Sequence, residues 1–268
     1  MPSEARLEQL GSEAHIWLCS PATDEQTERC LELLAPSELD QLERFRVERP
    51  RRLYLSARSL ARSVLSLYRP EIPADAWRFR LNAHGRPEIE VPNGPPDLRF
   101  NLSHTDGLVA CILGVNRDVG VDVEDTRRSL DLDMPGVARH SFSRTEAADV
   151  RTRSGEDRRR RFFSSWTLKE AYIKARGMGL ALPLRRFSYR FPVPGEVTVS
   201  FDPEVHDRED EWQLGLWRAS VDHFLAAAVR RGSGSDLAWV VRRSTPLAED
   251  AELVSPEPLA LSTIPAHV

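Results

Sequence analysis

Apolar residues recur at helical spacing in two long stretches of the chain. In the first stretch these residues are Leu53, Leu60, Val64 and Leu67, at sequence intervals of seven, four and three. This is the pattern of the buried face of an amphipathic helix. Pro50 precedes the stretch and Arg69-Pro70 interrupts it, as expected at the ends of a helix. The second stretch, "SWTLKEAYIKA", follows a shorter predicted helix, "SRTEAADVR". The pattern predicts a long helix in each half of the chain.

Short runs bounded by Gly, Pro and Asn predict strands around these helices. In the first half the runs are "AWRFRL", "RPEIEV", "LRFNLSH" and "LVACILGV", and in the second half "VGVDVED", "FSYRF", "EVTVSF", "WQLGLWRAS" and "HFLAAAVR". Because the second half repeats the order of the first, we predict an α/β (α+β) fold with two similar lobes, residues 1–116 and 117–232. Residues 233–268 are predicted to form an extension with one strand and a mobile tail.

The composition of the 268 residues is that of a soluble globular protein, with 41% hydrophobic and 29% charged residues. No apolar run approaches the roughly 20 residues of a membrane-spanning helix. The N-terminal "MPSEARLEQLGSEAHIWLC" lacks the basic and apolar regions of a signal peptide. We therefore expect a cytoplasmic protein with no membrane segment.

The charge of the chain argues against a nucleic-acid-binding protein, and its cysteine content argues against a disulfide-rich or zinc-binding protein. The net charge of -4 and the isoelectric point near 6.0 argue against a general nucleic-acid binder. The run "RRRRF" at Arg158–Phe162 is most simply a solvated helix face or loop. Three widely spaced cysteines, Cys19, Cys30 and Cys111, indicate neither a disulfide framework nor a zinc site.

The segment "DVGVDVED" places two carboxylates on one face of a predicted strand. Gly120, Asp122 and Glu124 alternate with valines, and alternate residues of a strand share a face. Adjacent carboxylates repel one another unless a cation lies between them, and oxygen ligands suit Mg²⁺ or Mn²⁺ better than zinc. An exposed strand edge with ordinary acidic side chains is the alternative interpretation.

Lysine occurs at two positions in a chain whose other basic residues are all arginine, namely Lys169 and Lys174. Trp166, Glu170 and Lys174 are spaced four residues apart and therefore share one face of the second long helix. A Glu–Lys pair at this spacing is also an ordinary feature of solvated helices. Arginine would serve that purpose nearly as well, so the retained lysine favours a compact point charge on a phosphate.

A hydroxyl and an imidazole are adjacent in the segment "FNLSHTDG". Neighbouring side chains of a strand point to opposite faces, so Ser103 and His104 are not expected to act on one another as nucleophile and base. A turn with an ordinary histidine is one interpretation of this segment. Contact of both residues with one large ligand is the other.

Four segments together resemble the signature stretches of the 4'-phosphopantetheinyl transferases of the larger, Sfp-like type. They are "HGRPEI", "FNLSH", "VGVDVED" and "WTLKEAYIKARGMGL", in this order. The resemblance covers residues 36–230 approximately. It implies an enzyme that transfers the phosphopantetheine arm of coenzyme A to a serine of an acyl or peptidyl carrier protein and releases adenosine 3',5'-bisphosphate. It also implies a pseudo-twofold arrangement of the lobes, with the active site in the cleft between them.

The resemblance assigns roles to particular residues. Asp122, Glu124 and Glu170 would bind Mg²⁺, with Mn²⁺ as the alternative ion. Lys174 would contact a phosphate oxygen, and Glu170 would accept the serine proton. The expected coenzyme A contacts are Arg49, Arg52, Arg86, Ser103, His104, Lys169 and Lys174.

Two other classes of function stay open at this point. The same carboxylates suit a metal-dependent nuclease or phosphoesterase, and the Arg158 run suits a non-catalytic module that binds an acidic partner. Because both lobes lie in one chain, we expect a monomer. The sequence does not choose among carriers of fatty acid, polyketide and nonribosomal peptide biosynthesis.

Overall fold

The computed structural model describes residues 3–90, 98–129, 133–231 and 235–262. The chain divides into two compact units. Unit 1 contains Met1–Asp118 and Leu237–Ser255, and unit 2 contains Val119–Asp236 and Pro256–Val268. The first division lies two residues from the predicted lobe boundary. The predicted extension is instead shared between the units, because its residues join both of their sheets.

Helices and strands alternate along the described chain. The α-helices are α1 Ser3–Gln9, α2 Asp24–Glu32, α3 Pro36–Glu43, α4 Glu48–Tyr68, α5 Met134–Ser141, α6 Arg144–Thr152 and α7 Gly155–Arg176. The strands are β1 Glu13–Cys19, β2 Phe79–Leu81, β3 Pro87–Ile89, β4 Leu98–Thr105, β5 Leu108–Val115, β6 Val119–Asp125, β7 Phe187–Arg190, β8 Gly195–Glu196, β9 Thr198–Phe201, β10 Trp212–Arg218, β11 His223–Arg230, β12 Ala238–Ser244, β13 Glu252–Val254 and β14 Glu257–Leu261.

Unit 1 is built on a five-stranded sheet in the order β13-β12-β1-β5-β4. Strands β1 and β12 are parallel, and the other neighbours are antiparallel. Helix α4 packs on β4 and β5, and its apolar face is buried against Trp17 and Phe100. The predicted helix residues Leu60 and Val64 are fully buried on this face. The amphipathic pattern therefore identified the core-facing side of α4.

Unit 2 is built on a second five-stranded sheet in the order β6-β11-β10-β14-β8. Helix α7 packs across β6 and β11. In each unit a strand is followed by the long helix and then by an antiparallel hairpin whose second strand pairs with the first strand. The prediction of a mixed α/β fold with two similar lobes is confirmed at the level of this repeated topology.

The residues after 236 form more structure than predicted. Three strands, β12, β13 and β14, replace the single expected strand, and β14 lies between β10 and β8. The predicted mobile tail falls partly outside the described residues. Of the helices described, none is both long enough and apolar enough to cross a membrane. The three cysteines are buried and free, as expected.

Gly120 sets the distance between β6 and α7. A Cβ atom at this position would lie 2.1 Å from the carbonyl oxygen of Ala171 and 2.4 Å from the backbone nitrogen of Ala175. Real Cβ atoms do not approach backbone atoms so closely, so only glycine allows this contact. The helix backbone therefore rests directly on the strand, beside the two carboxylates of "VGVDVED".

Candidate functional site

The predicted carboxylate strand and the predicted helix stripe face one another in unit 2. The Nζ of Lys174 donates to Oδ1 of Asp122 at 2.5 Å, and Nε1 of Trp166 donates to Oε1 of Glu124 at 2.8 Å. Asp122 is 4% exposed, whereas the Lys174 side chain is 28% exposed. Alternate residues of β6 and every fourth residue of α7 thus contribute two carboxylates, an ammonium and an indole to one site.

Glu170 lies one helical turn before Lys174 on the same stripe and is half-buried. Burial raises the pKa of Glu170, and the nearby Asp122 carboxylate raises it further, while Lys174 acts in the opposite direction. Two carboxyl groups in one partly desolvated place repel one another when both are ionised. The site is therefore acidic, and it favours a bound cation or a retained proton.

An aromatic cluster holds Trp166 in place. Its ring stacks on Phe162 with centroids 5.9 Å apart, and Phe142 lies 6.3 Å away. Phe142 and Phe162 are buried and stack on one another. Since the indole is fixed on two sides, its N–H holds the Glu124 carboxylate in a defined orientation.

Lys169 does not face this site, and its predicted contact with coenzyme A is wrong. The side chain is fully buried and forms an ion pair of 2.9 Å with Glu146. Its Nζ also donates to the carbonyl oxygens of Leu184 at 2.8 Å and Phe187 at 2.6 Å. Burial lowers the pKa of Lys169, and Glu146 opposes this shift. The residue next to Glu170 on a helix points about 100° away from it, here into the core.

The environment of Lys169 explains why this position is lysine in an arginine-rich chain. An ammonium has three N–H donors, and three acceptors surround Nζ: one carboxylate oxygen and two carbonyl oxygens. The Phe187 ring lies 4.2 Å from the same nitrogen. A guanidinium is larger, planar and has five donors, so it would leave N–H groups unsatisfied in this space.

Glu146 is the ion-pair partner of Lys169 that sequence reasoning missed. Its carboxylate accepts from the backbone nitrogens of Ser143 and Tyr189 at 3.0 Å and 2.9 Å, besides binding Lys169. The segment "SRTE" has the form of a capping box, and Ser143 and Glu146 do cap α6. That motif predicts the start of a helix, but it contains no information about a lysine on another helix.

The other predicted coenzyme A contacts lie in unit 1, where the three arginines form ion pairs. Arg49, at the start of α4, contacts Asp106, two residues beyond His104. Arg52 pairs with Asp24 at 2.7 Å, and Arg86 pairs with Glu88 at 3.0 Å. The structure thus places Arg49 next to the end of β4, whereas Arg86 belongs to the separate hairpin β2–β3.

Ser103 and His104 point to opposite faces of β4. Ser103 is 6% exposed, whereas the His104 side chain is exposed. The two side chains therefore lie on different faces, as the alternation of a strand predicts. The exposed imidazole of His104 and the Arg49 guanidinium, which pairs with Asp106, are two basic groups at this end of the strand.

The donor chemistry of the unit 2 site fits Mg²⁺. Asp122, Glu124 and Glu170 supply only carboxylate oxygens, the ligand type that Mg²⁺ and Mn²⁺ prefer. Within the ranges that the structure describes, however, no three His, Cys, Asp or Glu side chains are arranged so that they could hold a metal ion. Oδ1 of Asp122 instead accepts a hydrogen bond from Nζ of Lys174. The site therefore offers oxygen donors of the type that Mg²⁺ prefers, but the described side chains do not bring three of them together.

Comparisons with known proteins match both halves of the chain. The family model described as "4'-phosphopantetheinyl transferase superfamily" matches residues 118–229, and the model "4'-phosphopantetheinyl transferase, N-terminal" matches residues 18–114. The 4'-phosphopantetheinyl transferase Sfp of Bacillus subtilis is 30% identical over 191 residues, which are 71% of this chain and 81% of the relative. HetI of Nostoc sp., another such transferase, is 31% identical over 182 residues, 68% and 76% of the two chains.

More distant relatives include a human protein, L-aminoadipate-semialdehyde dehydrogenase-phosphopantetheinyl transferase. It is 25% identical over 216 residues, 75% of this chain and 69% of the relative. The chain belongs to the 4'-phosphopantetheinyl transferase family. It is an enzyme that transfers the phosphopantetheine arm of coenzyme A to carrier proteins.

Gly120→Ala is expected to lower the transfer rate by about 10²-fold, since a displacement near 1 Å at a catalytic site has that effect. The new Cβ would push α7 away from β6 and separate Lys174 from Asp122. Overpacking should also cost about 1–3 kcal/mol of unfolding free energy.

Val121→Ala is the matched control, because Val121 is fully buried on the opposite face of the same strand. This variant should lose about 1–3 kcal/mol of unfolding free energy, because the smaller side chain leaves a cavity. It should keep most of the wild-type transfer rate. Denaturant unfolding and initial rates measured on both variants separate the two effects. Equal rates for the two variants would contradict the spacing role of Gly120.

Proposed function

We propose that Glu170 and Lys174 of unit 2 carry the transfer of 4'-phosphopantetheine from coenzyme A to a serine hydroxyl of an acyl or peptidyl carrier protein. The observation that carries this proposal is the ion pair of 2.5 Å between Lys174 and Asp122, one helical turn from Glu170. It supports the proposal because the Glu170 carboxyl and the Lys174 ammonium lie on one stripe of α7, beside the carboxylates of Asp122 and Glu124.

The reaction requires one bond to form and one to break at phosphorus. The serine Oγ attacks the β-phosphorus of the coenzyme A pyrophosphate, and the bond from that phosphorus to the bridging oxygen breaks. Adenosine 3',5'-bisphosphate leaves with the bridging oxygen and its electron pair. Negative charge grows on the pyrophosphate oxygens during this step, so fixed positive charge at the site stabilises the transition state.

Glu170 is the group that accepts the serine proton. Its carboxyl is partly buried beside Asp122, an environment that raises its pKa toward the range useful for a general base. Lys174 supplies the compact charge for a phosphate oxygen, and it is partly exposed, so a ligand can reach it. In this proposal its contact with Asp122 aligns the ammonium before the substrate binds.

Mg²⁺ is the proposed metal, with Mn²⁺ as a substitute, and Asp122, Glu124 and Glu170 are the proposed ligands. When bound, the ion would neutralise charge on the pyrophosphate. The support is the all-carboxylate donor set on two elements that face one another.

Asp122→Asn is expected to weaken Mn²⁺ binding by at least about 10–100-fold, the loss that even an outer-shell change at a metal site produces. Electron paramagnetic resonance of free Mn²⁺ during titration of the protein measures this without any turnover. Asp157→Asn is the control, because Asp157 is 63% exposed and pairs with Arg153. Unchanged Mn²⁺ affinity in Asp122→Asn would exclude Asp122 as a ligand.

The residues proposed to contact coenzyme A in unit 1 are Arg49, Arg52, Arg86, Ser103 and His104. Support is strongest for Arg49 and His104, because the Arg49–Asp106 contact joins the start of α4 to the end of β4. A basic residue and an imidazole at one place suit the phosphates of coenzyme A. We also propose that the chain is a monomer, since it carries both copies of the repeated topology, and sedimentation would reveal an obligate oligomer instead.

Intact-mass analysis of an apo carrier protein incubated with the enzyme, coenzyme A and Mg²⁺ tests the proposed function. Transfer adds one phosphopantetheine group to the carrier and releases adenosine 3',5'-bisphosphate in equal amount. Nucleotide release with an unmodified carrier would support a phosphoesterase instead. An unmodified carrier without nucleotide release would support a binding module.

A further inference from the structure

A buried carboxylate lies in the loop between β9 and β10, outside the candidate site. The Asp207 side chain is 2% exposed. It follows Val205, which packs into the core of unit 2, and His206, whose φ of 58° is left-handed. A buried carboxylate is costly unless hydrogen-bond donors satisfy it, and the proposed transfer chemistry does not involve Asp207. The donors that satisfy it therefore indicate its role.

Two donors of α7 meet at Asp207. The Tyr172 hydroxyl and the Arg176 guanidinium both donate to its Oδ2 atom. Because they are four residues apart, Tyr172 and Arg176 lie one turn apart on the same face of the helix. Arg176 is the last residue of α7. Asp207 therefore ties the last two turns of α7 to the loop before β10. We refer to Tyr172, Arg176 and Asp207 as the Asp207 bridge.

The face of α7 that binds Asp207 is roughly opposite to the face of Lys174. Successive residues of an α-helix are rotated by about 100°. Tyr172 and Arg176 each stand two positions from Lys174, so they are rotated from it by about 200°. On its own face, Lys174 contacts Asp122 of β6. The end of α7 is thus held from two sides, by β6 through Lys174 and by the β9–β10 loop through Asp207.

Aromatic packing fixes the position of the Tyr172 hydroxyl. The Tyr172 ring centroid lies 4.7 Å from that of Phe187, 5.2 Å from that of Phe201 and 4.9 Å from that of Trp212. These three rings belong to β7, β9 and β10. Burial raises the pKa of Tyr172, and the adjacent Asp207 carboxylate raises it further, so the hydroxyl stays a donor. The Asp207 bridge is therefore anchored in the core of unit 2.

The Asp207 bridge acts where a helix is easily disordered. Helix ends fray, and Lys174 is two residues from the last residue of α7. A buried ion pair adds little net stability, because removing its charges from water costs about as much as their attraction gains. The same pair nevertheless fixes which groups meet. A contact that keeps the last turn of α7 closed therefore controls where the Lys174 ammonium lies.

We propose that Asp207 is a positioning residue for the transfer reaction and acts through Lys174. By binding Tyr172 and Arg176, it keeps the last turn of α7 closed and the Lys174 ammonium aligned for a phosphate oxygen. This inference rests on the proposed function, in which Lys174 supplies that charge. Glu170 lies one turn farther from the end of the helix, so the bridge affects its position less.

Asp207→Asn tests the proposal, because asparagine keeps the shape of aspartate and loses the charge that pairs with Arg176. The kcat should fall by about 10- to 100-fold, up to the cost of misplacing a catalytic group by about 1 Å. The kcat/KM for the carrier should fall by the same factor, as it does when an interaction made in the transition state is lost.

A double-mutant cycle with Lys174→Ala distinguishes positioning from general destabilisation. Because Asp207 acts through Lys174, Asp207→Asn should change the residual single-turnover rate of Lys174→Ala by less than about twofold. Independent effects on the rate would multiply instead.

Tyr172→Phe and its matched control, Tyr189→Phe, decide the question if Asp207→Asn does not fold. Each variant loses one hydroxyl from a buried tyrosine of unit 2, and the Tyr189 hydroxyl donates to the carbonyl oxygen of Leu168 at 3.2 Å. Thermal unfolding should show similar losses of stability for the two variants. Tyr172→Phe should transfer about tenfold more slowly than wild type because its last helical turn is less firmly held, whereas Tyr189→Phe should keep the wild-type rate.

Three results would each overturn the proposal. They are a folded Asp207→Asn enzyme with the wild-type kcat, an equal loss of rate from Asp207→Asn in the presence and absence of Lys174, and equal rates for the two tyrosine variants. Wild-type enzyme that leaves the carrier unmodified would refute the proposed function itself. A wild-type rate for Lys174→Ala would refute the role of Lys174 in that function, so the failures are distinguishable.

Discussion

Replacing Lys169 with methionine is expected to destabilise the protein by about 3–5 kcal/mol, the usual cost of removing one partner of a buried ion pair. Methionine fills similar space but donates no hydrogen bond. Glu146 would then remain as a buried carboxylate with only two backbone donors, and two carbonyl oxygens would lose their partner. Denaturant unfolding of the purified variant measures the loss.

A double variant, Lys169→Met with Glu146→Gln, separates the ion pair from simple packing. It removes the uncompensated charge, so it should recover part of the stability lost in Lys169→Met. Lys169→Arg should also be destabilised, because the space around Nζ suits an ammonium. A stability of Lys169→Met within 1 kcal/mol of wild type, roughly the level of a surface pair, would contradict this assignment.

Lys174→Arg is expected to reduce the transfer rate by about 10²–10³-fold, as removal of one preorganised donor from an active site does. The substitution keeps the positive charge beside Asp122, so the melting temperature should change little. A guanidinium differs from an ammonium in shape, reach and donor geometry, and it cannot take the same position on a phosphate oxygen. Single-turnover rates and thermal unfolding of the same preparation give both quantities.

Arg153→Lys provides the reverse exchange at a place with no proposed catalytic role. The Arg153 side chain is 29% exposed, close to the 28% of Lys174, and it pairs with Asp149 and Asp157. Its transfer rate should equal that of wild type. If Lys174→Arg also transfers at the wild-type rate, Lys174 is an ordinary partner of Asp122 and the phosphate role is lost.

The two faces that form the candidate site, one on β6 and one on α7, could be predicted from the sequence, because short-range periodicity determines which residues share a face. Alternate residues of β6 and every fourth residue of α7 necessarily share faces. The sequence therefore predicts that Asp122 and Glu124 share one face and that Glu170 and Lys174 share another. What periodicity did not reveal is that the two faces meet. The two faces come together because Gly120 has no Cβ atom, so the backbone of α7 can lie directly on β6.

The direction of the Lys169 side chain could not be predicted from periodicity. Between Phe162 and Ala175 helix α7 is buried on several sides, including polar residues such as Ser165 and Thr167. On a helix enclosed from several sides, the spacing of apolar residues no longer tells which polar side chain faces a ligand and which faces the core. The acceptors of Lys169 come from α6, from Leu184 before β7 and from Phe187 at the start of β7, and only the tertiary structure brings them together.

Two of the three strands after residue 236 were not predicted, for a different reason. Pro258 lies inside β14, and proline argues against a strand because it has no N–H to donate. In the structure the register shifts between Leu216 and Trp217, at the place where β10 pairs with Pro258. Leu259, next to the proline, is the extra residue of β14 at this bulge, and the strand it faces lies about 40 residues earlier in the chain.

Single-turnover transfer by Glu170→Gln tests the central claim most directly, because glutamine keeps the size of glutamate and cannot accept the serine proton. Apo carrier, coenzyme A and Mg²⁺ are mixed with wild-type or variant enzyme, and the intact mass of the carrier is followed over time, with thermal unfolding as the check on folding. We expect wild-type enzyme to add one phosphopantetheine group while the folded variant leaves the carrier in its apo form over the same period. A folded Glu170→Gln enzyme that modifies the carrier at the wild-type rate would contradict the assignment of catalysis to the stripe between β6 and α7.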